Sequence, residues 1–213
     1  MAFIALDEGL RFLSGKGILT LSAQSFYYLY PLKALSVALL LFLYRKSYPE
    51  IDFRDLHKPS ATLISIVTGI TVYVLWINMD FPFAIMGSPS GFNPNLFQGD
   101  TTRIFMTAAR LSGAVLVVPV MEELFWRSFL VRYVVNQDFS KVPIGLFTWP
   151  SFLITVMLFG FEHNLFLAGI MAGIAYNLLL YYTRSLSHCI VAHAVTNLAL
   201  GIYVISSGKW CFW

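Results

Sequence analysis

VVPVMEELFWRSFL, residues 117–130, places two adjacent glutamates and an arginine inside a run of Val, Leu, Phe and Trp. An ionised side chain at the centre of a bilayer costs roughly 2.5–3.5 kcal/mol on insertion scales, so such groups face a bundle interior or a wet cavity. On a helix, Glu123 and Arg127 are four residues apart and share a face. Glu122 is one position earlier and points about 100° away. One carboxylate can therefore pair with Arg127 while the other faces something else. A purely structural ion pair accounts for Glu123 and Arg127 but leaves Glu122 without a partner in its own segment.

The rest of the chain supplies the setting. Of its 213 residues, 58% are hydrophobic and 12% are charged, against about 25% charged in an ordinary soluble domain. The mean hydropathy is +0.71. The apolar residues are clustered in blocks at 26–44, 60–78, 104–135, 146–161, 165–182 and 185–206. A hydrocarbon core takes about 20 apolar helical residues to cross. The expectation is an all-α, polytopic transmembrane helical bundle of six clear spans. It forms a single transmembrane domain over 1–213, with its chemistry concentrated over about 105–205. The block at 104–135 is longer than one crossing requires, so it is strongly tilted or emerges as an amphipathic extension.

The net charge of +3 does not indicate a nucleic-acid partner, because the basic residues flank apolar blocks. Arg45, Lys46, Arg54, Lys58, Arg132, Lys141 and Arg184 fall in or next to connections of one parity. Arg11, Lys16, Arg103 and Lys209 fall on the other. The first group is expected on the cytoplasmic side, with both termini outside. Residues 1–20 carry Asp7 and Glu8 early, lack a clean apolar core and do not read as a cleavable signal peptide. Cys189 and Cys211 have no metal-ligand spacing, and Cys189 reads as a small buried hydrophobe.

Two further polar clusters interrupt the apolar blocks. FGFEHNL, 159–165, holds His163 between two spans, with Glu162 beside it as a turn residue. SHCIVAHAVTN, 187–197, places His193 and Asn197 four apart, one polar patch on an apolar helix, with His188 near the basic end. Each cluster alone has a bland reading: an ion pair, a polar turn, an asparagine joining helices. Together, Glu122, His163, His193 and Asn197 supply a general base, a second polarising group and hydrogen-bond donors, the parts of a water-activating hydrolytic site. Two histidines and a glutamate can also hold zinc. The HExxH pattern is absent, however, and the spacing demands no metal. No cofactor is expected.

These residues carry a family resemblance. Glu122, Glu123 and Arg127 form EExxxR, Phe159 and His163 form FxxxH, and His193 and Asn197 form HxxxN. The three motifs in this order resemble the CPBP family, the CAAX proteases and bacteriocin-processing membrane enzymes also called Abi or Rce1-like. The resemblance implies a helical bundle of up to eight helices around a cavity open to the cytosol and the bilayer. It implies that Glu122, with His163, activates the attacking water, and that His193 and Asn197 stabilise the oxyanion. Glu123 and Arg127 are implied as support, and no catalytic metal is implied. TWPSFLITVMLFGFEH, with MEELFWRSFLVRY upstream, is further similar to the CAAX-related proteins found beside exosortase and PEP-CTERM sorting systems.

The expected function is an intramembrane endopeptidase acting on a membrane-associated or lipidated protein or peptide. It is expected as an integral protein of a bacterial inner membrane. The competing class is a non-enzymatic immunity or assembly factor using the same fold. A transporter is a third reading, and neither a repeat nor a pore-like series of polar positions supports it.

Overall fold

The structure, a computed structural model, describes residues 9–10, 12–19, 23–87 and 91–213. Arg11 and most of the N-terminal stretch read above for a signal peptide lie outside the described residues. Among the described residues, the body is formed by α1 Ala23–Leu43, α2 Pro59–Trp76, α3 Asp100–Val135, α4 Trp149–Phe161, α5 Phe166–Thr183 and α6 Leu186–Ser207. Among the described residues, the sole β feature is an isolated bridge between Ile85 and Leu165. The chain is an all-α polytopic membrane protein. Large apolar side chains such as Leu35, Leu39, Phe42, Leu63 and Ile202 remain exposed, as lipid-facing surface does.

Among the described residues, five helices, not six, are long and apolar enough to cross a membrane. The exception is α4, expected above as a span over 146–161. It has 13 residues, about 20 Å at 1.5 Å per residue, short of a hydrocarbon core of about 30 Å. Local chemistry shortens it. Gly145 turns the chain at φ 77°, Thr148 is extended and its side chain accepts from Ser151 N–H, and Pro150 fixes the first turn. At the other end, residues 162–165 turn back beneath the 77–99 connection, where Met86 N–H donates to Asn164 O at 2.7 Å.

The long helix α3 runs unbroken for 36 residues, about 54 Å. Two π-helical segments, Gly113–Val117 and Leu124–Leu130, interrupt its α-helical winding. Pro119 gives the first a cause, because a mid-helix proline lacks an N–H and crowds the carbonyl four residues back. The six residues between the segments, Val118–Glu123, carry both glutamates. π-bulges inside α-helices are frequent at functional sites.

The best-buried helices are α5 and α6, with 44% of each apolar window buried against none for α1. The core therefore lies around α5 and α6, with α1 at the periphery. Helices α2 and α6 run side by side. A Cβ on Gly69 would lie 2.4 Å from Ala192 O, so only a residue without a side chain permits this approach. Gly160 performs the same service between α4 and α5, where a Cβ would meet Ile170 Cγ1 at 2.3 Å.

The basic connections gather at one end of the bundle. Arg132, read as following the third span, lies inside α3. It is buried in the last turn of α3 and pairs with Glu50 at 3.0 Å. Ser128 also bonds Glu50, and Arg132 reaches Val142 O. Nearby, Gly145 packs on Arg184, the left-handed cap that ends α5 at φ 51°. Both cysteines are free, Cys189 buried and Cys211 exposed.

Candidate active site

The site begins with Glu123. Its side chain is fully buried and pairs with the equally buried Arg127, Nε to Oε2 at 3.3 Å. The guanidinium carbon of Arg127 lies 4.3 Å from the Phe159 ring centroid and 5.3 Å from that of Tyr176, an arrangement favoured by aromatic quadrupoles. The expected pair thus exists, but it has a third member. Glu123 Oε1 also lies 2.8 Å from His193 Nδ1. The carboxylate accepts, so Nδ1 carries the proton and Nε2 points onward. Tyr176 stacks on the imidazole at 5.1 Å with an interplanar angle of 21°. Its hydroxyl donates to Thr196 Oγ1 at 2.7 Å, and Thr196 bonds Gly69 O at 2.9 Å. The His193 ring is therefore fixed by carboxylate and aromatic contacts from two helices.

Glu122 faces the opposite edge of His193. Its Oε2 lies 4.0 Å from His193 Nε2. This oxygen is buried and has no hydrogen-bond partner among the described residues. His193 is thus flanked by both glutamates.

A cavity of about 180 Å³ opens at this point, and Glu122, His163, His193, Asn197, Trp76 and Arg110 contribute to its wall. All four residues expected to act on the substrate line this one space. His163 Nδ1 lies 2.7 Å from Phe159 O. A carbonyl only accepts, so Nδ1 donates and Nε2 is left with the lone pair in the neutral ring. The ring rests against Phe159 at 4.8 Å and Trp76 at 5.3 Å. Asn197 Nδ2 donates to Ala114 O at 2.8 Å. Ala114 belongs to the first π segment, where widened winding leaves carbonyls available to other partners.

On the other side of Glu122 is a groove of about 310 Å³, lined largely by apolar residues such as Ala34, Val37, Met121 and Phe125. Glu122 and Tyr30 line both spaces. The carboxylate therefore stands between a chamber that holds the site's polar groups and a more apolar one. His188 is elsewhere, fully buried near Thr62, with Nε2 at 3.4 Å from its hydroxyl, and does not line the cavity. Among the described residues, no group of three His, Cys, Asp or Glu side chains is gathered as a metal site.

Tyr176, Trp76 and Arg110 also line the cavity and belong to none of the three sequence motifs. Tyr176 and Trp76 resemble ordinary core aromatics at helical spacing, and nothing local distinguishes them. Arg110 carried a usable signal, an arginine within the apolar block 104–135.

The site is thus a buried Glu–His–Glu cluster inside a helical membrane bundle. Residues 104–199 match the family model for type II CAAX prenyl endopeptidase Rce1-like proteins. This segment, a little under half of the chain, is similar to the Rce1-like domain of the CPBP family. The matched segment contains Glu122, Glu123, Arg127, Phe159, His163, His193 and Asn197. The match carries the family and not the exosortase-associated subfamily. No curated protein and no solved structure matches the chain.

Proposed function

We propose that this protein is an intramembrane endopeptidase that hydrolyses a peptide bond of a membrane-associated protein or peptide using water activated by Glu122. The observation that carries this is the position of Glu122 Oε2: buried, unpartnered among the described residues and 4.0 Å from His193 Nε2, in a cavity shared with His163 and Asn197. A water bridging Glu122 would lose its proton to the carboxylate as its oxygen attacks the scissile carbonyl. His163, with Nε2 as acceptor, would help orient that water. Glu122 would then return the proton to the leaving amine.

The oxyanion needs donors. Asn197 has a second amide proton beyond the one given to Ala114 O. His193 already donates from Nδ1 to Glu123, so donating from Nε2 as well requires the imidazolium. The apolar groove beside Glu122 supports a hydrophobic or lipidated segment as substrate. The proposed setting is a bacterial inner membrane, with the basic end of the bundle in the cytosol and an exosortase-linked system as its context.

The test compares wild type with Glu122→Ala and His193→Ala in a deletion strain, scoring uncleaved precursors in the membrane proteome. Precursors accumulating with both variants, at normal membrane insertion, is the expected result. Normal processing by both sinks the assignment. Retained partner binding with no product in any strain would support an immunity or assembly factor instead.

A further inference from the structure

The connection that follows α2 leaves two large aromatic side chains bare. Phe81 and Phe83 are 43% and 76% exposed, and their rings stack at 5.6 Å with an interplanar angle of 8°. Between them Pro82 opens a short 3-10 turn, Pro82–Ala84, whose last residue is fully buried. Ala84 thus seats the turn on the bundle while both phenyl rings stay bare. An exposed apolar patch marks a surface that meets another protein or a membrane.

The level of the patch separates these two partners. Met86 N–H donates to Asn164 O at 2.7 Å, and Ile85 bridges Leu165. The connection is therefore fastened to the turn at the end of the short helix α4. Leu165 packs with Leu200 and Val204 of α6, and Ile85 packs on the same cluster. These α6 residues stand seven and three positions before Ser207, where that helix ends, a rise of about 10 Å and 4–5 Å. The fastening point thus lies within the length of α6 and not beyond it. Asp80, by contrast, is exposed and close enough to Lys209, past the end of α6, for their charges to interact. Phe81 and Phe83 sit on the descent from this polar level to the buried one.

The lipid-facing surface reaches the same turn. Phe161, the last residue of α4, is 51% exposed and stacks with Phe166, the first of α5, at 6.1 Å. Irregular backbone is tolerated near lipid only where its polar groups are satisfied. Pro82 has no N–H, and that of Ala84 donates to Phe81 O at 2.8 Å.

We infer that Phe81 and Phe83 form a membrane anchor, with both rings inserted among lipid chains at the end of the bundle opposite the basic connections. Lipid is the occupant because the patch lies beside the end of α6 and adjoins a surface that already faces lipid. Large apolar side chains bind the boundary between head groups and acyl chains according to the area they bury. Since Met86 holds Asn164, the residue after His163, the anchor also steadies the turn that carries this histidine. The lipid contact does not depend on the peptidase reading.

The test is the depth of a spin label at residue 83. Phe83→Cys is made in a Cys211→Ser background, where Cys189 is buried and stays unlabelled. Reference labels replace Leu158, exposed on α4, and Asp80. In phosphatidylcholine nanodiscs, collisions of each label with oxygen, which dissolves in lipid, are compared with those of a water-soluble nickel chelate. Oxygen is expected to dominate at 83, as at 158, and nickel at 80. Dominance of nickel at 83 puts the connection in water and overturns the inference. Exclusion of both colliders at 83 also overturns it, since another protein surface would then cover the patch. The unlabelled double variant Phe81→Ser with Phe83→Ser supplies a second measurement. Amide hydrogen exchange at Met86 and over 162–165 is expected to quicken in the same nanodiscs, while the middle of α5 and α6 keeps its rates. Unchanged exchange at Met86 overturns the anchoring of the His163 turn.

Discussion

His193 Nδ1 lies 2.8 Å from Glu123 Oε1, and Arg127 Nη1 reaches the same oxygen at 3.3 Å. One carboxylate thus orients the histidine and neutralises the arginine at once. Its neighbour Glu122 does neither, and its Oε2 faces the cavity. Adjacent residues of the same type therefore have separable tasks, and their substitutions should separate.

Glu122→Gln is expected to reduce cleavage by about 10²-fold or more, the usual contribution of a general base. Its unfolding midpoint in detergent should stay close to that of wild type, because no partner is lost. A variant that cuts normally, or that unfolds far earlier, would contradict this division of roles.

Glu123→Gln should instead be destabilising. It leaves Arg127 buried without its counter-charge, and breaking a buried pair from one side costs about 3–5 kcal/mol. Thermal unfolding monitored by tryptophan fluorescence measures this. Activity should fall too, since His193 loses the anion that orients it.

The double variant Glu123→Gln with Arg127→Met should be more stable than Glu123→Gln alone. Removing both charges ends the desolvation problem that removing one creates. Activity should not recover with stability. A double-mutant cycle read in both quantities checks it, and additive losses of stability would refute it.

Asn197→Leu should cost little stability, about 0.6 kcal/mol for one interhelical hydrogen bond, here the bond to Ala114 O. Its effect on cleavage should be larger, about 10²-fold in kcat, as for the loss of an oxyanion donor. Equal modest losses in both would mean that Asn197 only joins α6 to α3.

Gly69→Val should disrupt the site from outside it. A Cβ at Gly69 would meet Ala192 O at 2.4 Å and Val195 Cβ at 2.9 Å, forcing α6 away from α2. Residue 192 precedes His193, so the histidine moves with the backbone. Reduced stability and loss of cleavage together are expected, whereas a fully active Gly69→Val protein would show that this contact is slack.

Much of the architecture was legible because it depends on local pattern. Blocks read at 26–44, 60–78, 165–182 and 185–206 correspond to helices Ala23–Leu43, Pro59–Trp76, Phe166–Thr183 and Leu186–Ser207. Apolar length alone is enough to announce such helices. The block at 146–161 misled because apolar composition does not report where a helix starts. Thr148 and Pro150 start it late, and the turn at 162–165 ends it beneath another connection.

The sequence by itself determined that Glu123 and Arg127 share a face and that Glu122 does not, since helical spacing is local. It also set His193 and Asn197 four residues apart on one helix. Only the tertiary structure decided that His193 lies between both glutamates, that Tyr176 stacks on it and that Arg110 ends up in the same cavity. Those relations join α3 to α5, α6 and α1 across 70 or more residues in the case of Glu123 with His193 and Tyr30 with Arg110. Spacing within one helix cannot encode them. They follow from where glycines let helices approach, and from where π-helical winding turns the side chains of α3.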